Sequence, residues 1–83
     1  MDILSVFEDI KDELLRAKRH EDKFHSAHEA YGVILEELEE FWDHCKQKKK
    51  DRSHMEMYTE LIQIAAMAIK SVDSLDNMVG GLT

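Results

Sequence analysis

Eighty-three residues with a formal net charge of −7 make one domain, and a chain this short buries only about 60–65% of the surface it exposes when unfolded. A single cysteine, Cys45, rules out an intrachain disulfide, and the acidic balance argues against duplex DNA, whose phosphates dominate its affinity for proteins. No apolar run approaches the ~20 residues that cross a bilayer, and Met1–Ser5 lacks the charged and apolar regions of a signal peptide, so no membrane partner and a cytoplasmic location are expected.

Proline is absent, and apolar residues recur with a helical period along the chain, which predicts an all-α fold. The first helix is expected over about residues 2–19, with Asp2 as N-cap and Ile3, Phe7, Ile10, Leu14 and Ala17 as its apolar stripe. His20–Lys23 is a polar connector. The second helix is expected over about residues 24–48, starting near Phe24 or at Ser26, where Ser26-Ala27-His28-Glu29 reads as a capping box. Its apolar face holds Ala27, Tyr31, Ile34, Leu35, Leu38, Phe41, Trp42 and Cys45, the last a core thiol. Residues 46–52 carry five of the eleven basic residues and one of the eighteen acidic ones. They read as a solvated helix end and turn, whose cations complement the helix dipole. Ser53-His54-Met55-Glu56 offers a second capping box, opening a third helix over about residues 53–79 that ends at Gly80.

Short connectors imply antiparallel neighbours. Helices two and three should form a hairpin, with helix one folded back along helix two. From Leu61 to Ile69 the third helix is apolar at eight of nine positions, Gln63 being the exception. A helix apolar on all sides is buried on all sides, and two partner helices from one chain cannot surround it. A homo-oligomer, dimer or tetramer, would supply the missing walls, most simply as a C2 dimer that builds a four-helix core. Ala65, Ala66 and Ala68 would permit close helix approach there. A groove that receives a different protein is the competing account.

The acidic residues are clustered: Glu36-Glu37-Leu38-Glu39-Glu40, then Glu60-Leu61-Ile62-Gln63 after a spacer of nineteen residues. With Leu38 as the centre of the apolar face and about 100° per residue, Glu37 lies near −100° and Glu40 near −160°, beside Ala30 and Val33. Glu36 and Glu39 fall on the opposite flank. On helix three, Glu60 is framed by Ile64 and Met67. A buried charge is costly unless it is paired or binds a metal. Glu37 with Glu40, and Glu60 with Gln63, have i,i+3 spacing that aims two oxygen ligands from each helix at one point. Oxygen ligands without His or Cys select Mg²⁺, or Mn²⁺, over zinc. Mg²⁺ held in this way takes phosphates at its remaining positions, which points to a nucleoside triphosphate as partner.

At these residues the chain resembles the all-helical nucleoside triphosphate pyrophosphohydrolases of the MazG-like group, whose pattern is Glu-Glu-x-x-Glu followed by Glu-x-x-Asp. The first element is matched by Glu36, Glu37 and Glu40, the second by Glu60, over about two-thirds of the chain, residues 24–79. The resemblance implies Glu37, Glu40 and Glu60 as metal ligands with Glu36 close by, and Mg²⁺-dependent release of pyrophosphate from (d)NTPs. It also implies a phosphate-facing role for Lys70. The sequence departs from the pattern at Gln63, where the family has Asp. An amide oxygen can coordinate Mg²⁺ but brings no charge, which puts a second metal in doubt. The alternative is a non-catalytic relative that binds a protein partner or a nucleotide, such as a small phage anti-defence protein.

The five histidines include no His-x-x-x-His pair for zinc. His28 and His44 are expected on helix flanks, behind the carboxylates, as hydrogen-bond donors. Phe24, Tyr31, Phe41 and Trp42 are spaced for core packing, with Trp42 and Phe24 the candidates for stacking on a base.

Overall fold

The computed structural model describes residues 1–80. They form α1 (Ile3–His20), α2 (Ala27–Cys45) and α3 (His54–Asp73), with single 3-10 turns at Lys49–Asp51 and Leu75–Asn77. No strand occurs among the described residues. The expected all-α class is what the chain adopts, and no helix among those residues is long and apolar enough to cross a membrane.

Each helix starts where a short polar side chain can take the first free backbone N–H. Asp2 accepts from the Leu4 N–H at 3.2 Å, Ser26 from the Glu29 N–H at 3.1 Å, and Ser53 from the Glu56 N–H at 3.1 Å. In the Ser26 box, Glu29 reaches back to the His25 N–H at 3.4 Å. Removing such a cap costs about 1 kcal/mol. Ser26→Ala should therefore lower the urea midpoint by the equivalent of about 1 kcal/mol at unchanged slope, and Ser26→Asp should restore it.

Two helix ends fall earlier than the sequence suggested. α2 stops at Cys45 rather than near Lys48, because Arg52 folds back over its end. The guanidinium donates to the Cys45 carbonyl at 2.7 Å and the Gln47 carbonyl at 3.1 Å, filling acceptors left open at a helix C-terminus. The basic segment thus serves as a helix end and turn. α3 stops at Asp73, six residues before Val79. Ser74 ends it: its buried hydroxyl donates to the Lys70 carbonyl at 2.7 Å and accepts the Phe24 N–H at 2.9 Å. Asn77 then donates to the Phe24 carbonyl at 2.8 Å. Gly80 has the left-handed φ of +73° expected of it, but it follows the 3-10 turn, not α3.

The order of packing also differs. Helix α3 is the central element, and both α1 and α2 pack on it. α1 runs parallel to α3, tied by Asp9 to the Tyr58 hydroxyl near one end and by Lys18 to Asp73 near the other. It does not fold back along α2 as expected, because α3 offers the larger apolar side. The core is Phe24, Ala30, Ala66 and Met67, against which Ile10, Leu14, Ala17, Val33, Ile34 and Met78 pack.

Two faces are placed differently from the expectation. On α2, Ala30 is buried and Glu37 half-buried, while Leu38, Tyr31 and Trp42 are exposed. The helix is therefore turned by about 100° from the Leu38-centred orientation. The small Ala30 allows close approach to α3, and the bulkier stripe is left outward. On α3, Ile62, Ala66, Met67 and Lys70 are buried, whereas Leu61, Ala68, Ile69 and Val72 are exposed. Within one chain, α3 is covered on one side only.

Candidate metal centre

The turn of α2 that brings Ala30 against α3 carries Glu37 with it, since the two residues lie seven apart on one helical face. Glu40 follows one turn later, and antiparallel α3 places Glu60 opposite. One carboxylate oxygen from each of Glu37, Glu40 and Glu60 lies within 4.8 Å of the others. Glu37 and Glu60 are half-buried and Glu40 is exposed, so the cluster sits at the rim of the interhelical seam. Glu37 Oε2 and Glu60 Oε2 are buried oxygens without a hydrogen-bond partner. No Lys or Arg pairs with any of the three among the described residues.

Like charges this close, partly shielded from water, favour protonation. Burial, then Glu40, Glu60, Glu36 and Glu13 in turn, push the Glu37 carboxyl up to about 7. Burial and then Glu40 raise Glu60 as well, while His44 pulls it back. The nearby cation on α1, Arg16, is engaged by Glu13 through two contacts of 2.7 and 3.0 Å.

This donor set fits a hard divalent cation. Adjacent oxygens on an octahedral Mg²⁺ lie about 3 Å apart, a contraction that small side-chain rotations would supply. Two buried oxygens without donors and a local excess of negative charge are what such an ion would satisfy. Gln63 lies half-buried one turn beyond Glu60, and Glu36 stands exposed beside Glu37, raising its carboxyl.

The other residues singled out in the sequence are elsewhere. Phe24 is 3% exposed and Lys70 4%. The Lys70 ammonium lies 4.5 Å from the centre of the Phe24 ring, and the ten-residue separation puts Lys70 about 15 Å along α3 from Glu60. Trp42 is exposed on the outward stripe of α2. The structure therefore gathers Glu37, Glu40 and Glu60 but does not bring Phe24, Lys70 or Trp42 to them.

His44 is the residue whose placement the sequence reading undervalued. Its Nδ1 is buried without a hydrogen-bond partner, 3.7 Å from Glu56 Oε2. Its spacing held the signal: His44 is four residues after Glu40 and seven after Glu37, on the same side of α2. His25 instead pairs with Glu21 at 2.8 Å on the surface. No protein-family model, no curated protein and no solved structure matches this chain.

Proposed function

We propose that the chain is a Mg²⁺-dependent nucleoside triphosphate pyrophosphohydrolase, with Glu37, Glu40 and Glu60 as the metal ligands and Mn²⁺ as an alternative ion. The supporting observation is the approach of these three side chains from two helices, two of them presenting a buried, unpartnered oxygen to the cluster. A bound divalent ion supplies neutralisation of phosphate charge and a more acidic water. The chain's own residues supply the rest. Glu37, Glu40 and Glu60 would hold the ion that takes the triphosphate, and Glu36, next to Glu37 in the chain and outside the trio, would accept a proton from the attacking water. Gln63 adds an amide oxygen without charge, so one ion is expected, not two.

The test is pyrophosphate release over a panel of NTPs and dNTPs with Mg²⁺ or Mn²⁺. Wild type should turn over at least one nucleotide, and Glu40→Ala and Glu60→Ala should each lose two orders of magnitude or more. Absence of release across the panel, or full activity in both variants, would overturn the proposal.

One observation favours a second reading. Lys70 and Phe24 are buried against each other in the core, away from the acids, so neither contacts phosphate or base there. A protein that binds the ion, with a nucleotide or a protein partner, without hydrolysis would show heat of Mg²⁺ binding in calorimetry but no pyrophosphate.

A further inference from the structure

A polyphosphate drawn to the acidic cluster meets unfavourable charge. Glu37, Glu40 and Glu60, with Glu36 beside them, outweigh one divalent ion, so an incoming anion is repelled unless a cation stands close by. Several cations of the chain are committed elsewhere. Lys18 is held by Asp22 and Asp73, and Lys46 by Asp43. Arg52 closes the end of α2, and Lys70 lies over the Phe24 ring.

Arg16 is placed differently. α1 and α2 both pack on α3 and only marginally on each other. Glu13 on α1 faces Glu37 on α2 across that opening, near enough to act on its carboxyl. The Glu13 side chain is 13% exposed, turned into the seam, whereas that of Arg16 is 57% exposed at the rim. Glu13 accepts from Arg16 Nε at 2.7 Å and from Nη2 at 3.0 Å. Those two contacts fix the plane of the guanidinium and leave Nη1 and the outer hydrogen of Nη2 free. Glu37 in turn acts on Arg16, so the guanidinium stands beside the acids without being spent on them. The other exposed cations of α1, Lys11 and Arg19, lie about 160° and 120° around the helix from Glu13 and point elsewhere.

We infer that Arg16 is the cation that receives the anion carried by the ion, with its free Nη1 edge turned to the oxygens of a pyrophosphate unit and Glu13 as the positioning residue. This inference rests on the reading of Glu37, Glu40 and Glu60 as a metal centre. A planar guanidinium already held on one edge by a carboxylate loses little freedom when its other edge binds phosphate. The ion and Arg16 then grip the same anion from α2–α3 and from α1, so α1 becomes part of the site. The role expected of Lys70 passes to a residue on a different helix.

The test is calorimetry near pH 8, where the carboxylates are ionised. Mg²⁺ alone and then magnesium pyrophosphate are titrated into wild type, Arg16→Gln and Arg19→Gln, and the arginine Nε–H resonances are followed by NMR. Wild type should bind both. Arg16→Gln should keep its Mg²⁺ affinity or gain some, because a positive charge has been removed. Its affinity for magnesium pyrophosphate should fall about tenfold or more. Arg19→Gln should match wild type. In wild type, pyrophosphate should shift the Arg16 Nε–H resonance and leave that of Arg19 in place, which a purely structural ion pair would not do. An exposed i,i+3 pair adds little to stability, so Arg16→Gln should melt close to wild type; should it not, the resonance shift in wild type decides.

Wild type that binds no Mg²⁺ would remove the metal reading and this inference with it. Mg²⁺ binding without pyrophosphate binding, equal pyrophosphate affinity in wild type and Arg16→Gln, or an unmoved Arg16 resonance would overturn this inference alone and leave the metal centre standing.

Discussion

The metal-free protein is expected to lose about 1–2 kcal/mol of stability as pH rises between the ordinary glutamate value and the value Glu37 has in the fold. The sign follows from proton linkage. Glu37 is raised from 4.5 to about 7, so in that window the folded state binds a proton that the unfolded state has released. Stability is fully present below 4.5 and declines until Glu37 ionises near 7. The full shift corresponds to about 3 kcal/mol, and screening at a carboxyl that partly reaches solvent reduces it to the smaller figure. Glu60 is raised as well and acts in the same direction.

Glu37→Gln removes this dependence, and the difference between variant and wild type isolates the group from the histidines. Urea unfolding at several pH values should show the variant more stable than wild type above neutrality and no more stable in acid. Mg²⁺ should reverse the loss in wild type. At a hundredfold excess over Kd it contributes about 2.7 kcal/mol, and because the ligands must be deprotonated the effect should be larger near pH 8 than near pH 6. A wild-type stability curve parallel to that of Glu37→Gln from acid to alkaline pH would show that these side chains do not repel one another. The metal proposal would then lose its basis.

Phe24→Ala should be the most destabilising single change in the chain. Phe24 lies outside any helix, yet it is 3% exposed. Its ring sits under Lys70, its N–H is held by Ser74 and its carbonyl by Asn77. Truncating a buried phenylalanine costs about 3–5 kcal/mol, and a chain this short has a total stability on the order of 4–12 kcal/mol. The urea midpoint should fall by about a quarter or more, and the protein is expected to be partly unfolded at physiological temperature. Leu4→Ala, at an exposed leucine of the same helical protein, should stay within about 0.5 kcal/mol of wild type. A Phe24→Ala variant as stable as Leu4→Ala would mean that the connector between α1 and α2 is not docked on the end of α3.

Much of the secondary structure was legible because its causes are local. Asp2, Ser26 and Ser53 each cap the helix expected of them, since a side-chain oxygen and an N–H two or three residues on are fixed by the chain itself. The approach of Glu37, Glu40 and Glu60 was legible for a similar reason: i,i+3 spacing and short connectors leave antiparallel helices few registers. The ends of α2 and α3 were not, because Arg52, Ser74 and Asn77 act across a turn or from a distant segment. Phe24 reads as the start of a helix, and only its contacts with Ser74 and Lys70 place it in the core.

The residues alone determined that this chain is helical, where its helices begin, and that acids from two of them share a flank. Periodicity and capping operate within a few residues and need no tertiary context. Tertiary structure decided which face of α2 turns inward, that α1 lies along α3, and that Lys70 packs over the Phe24 ring instead of beside the acids. Those outcomes depend on competition between apolar surfaces far apart in the chain. The small Ala30 beside the half-buried Glu37 prevailed over the bulkier Leu38 stripe because it lets the helices come closer.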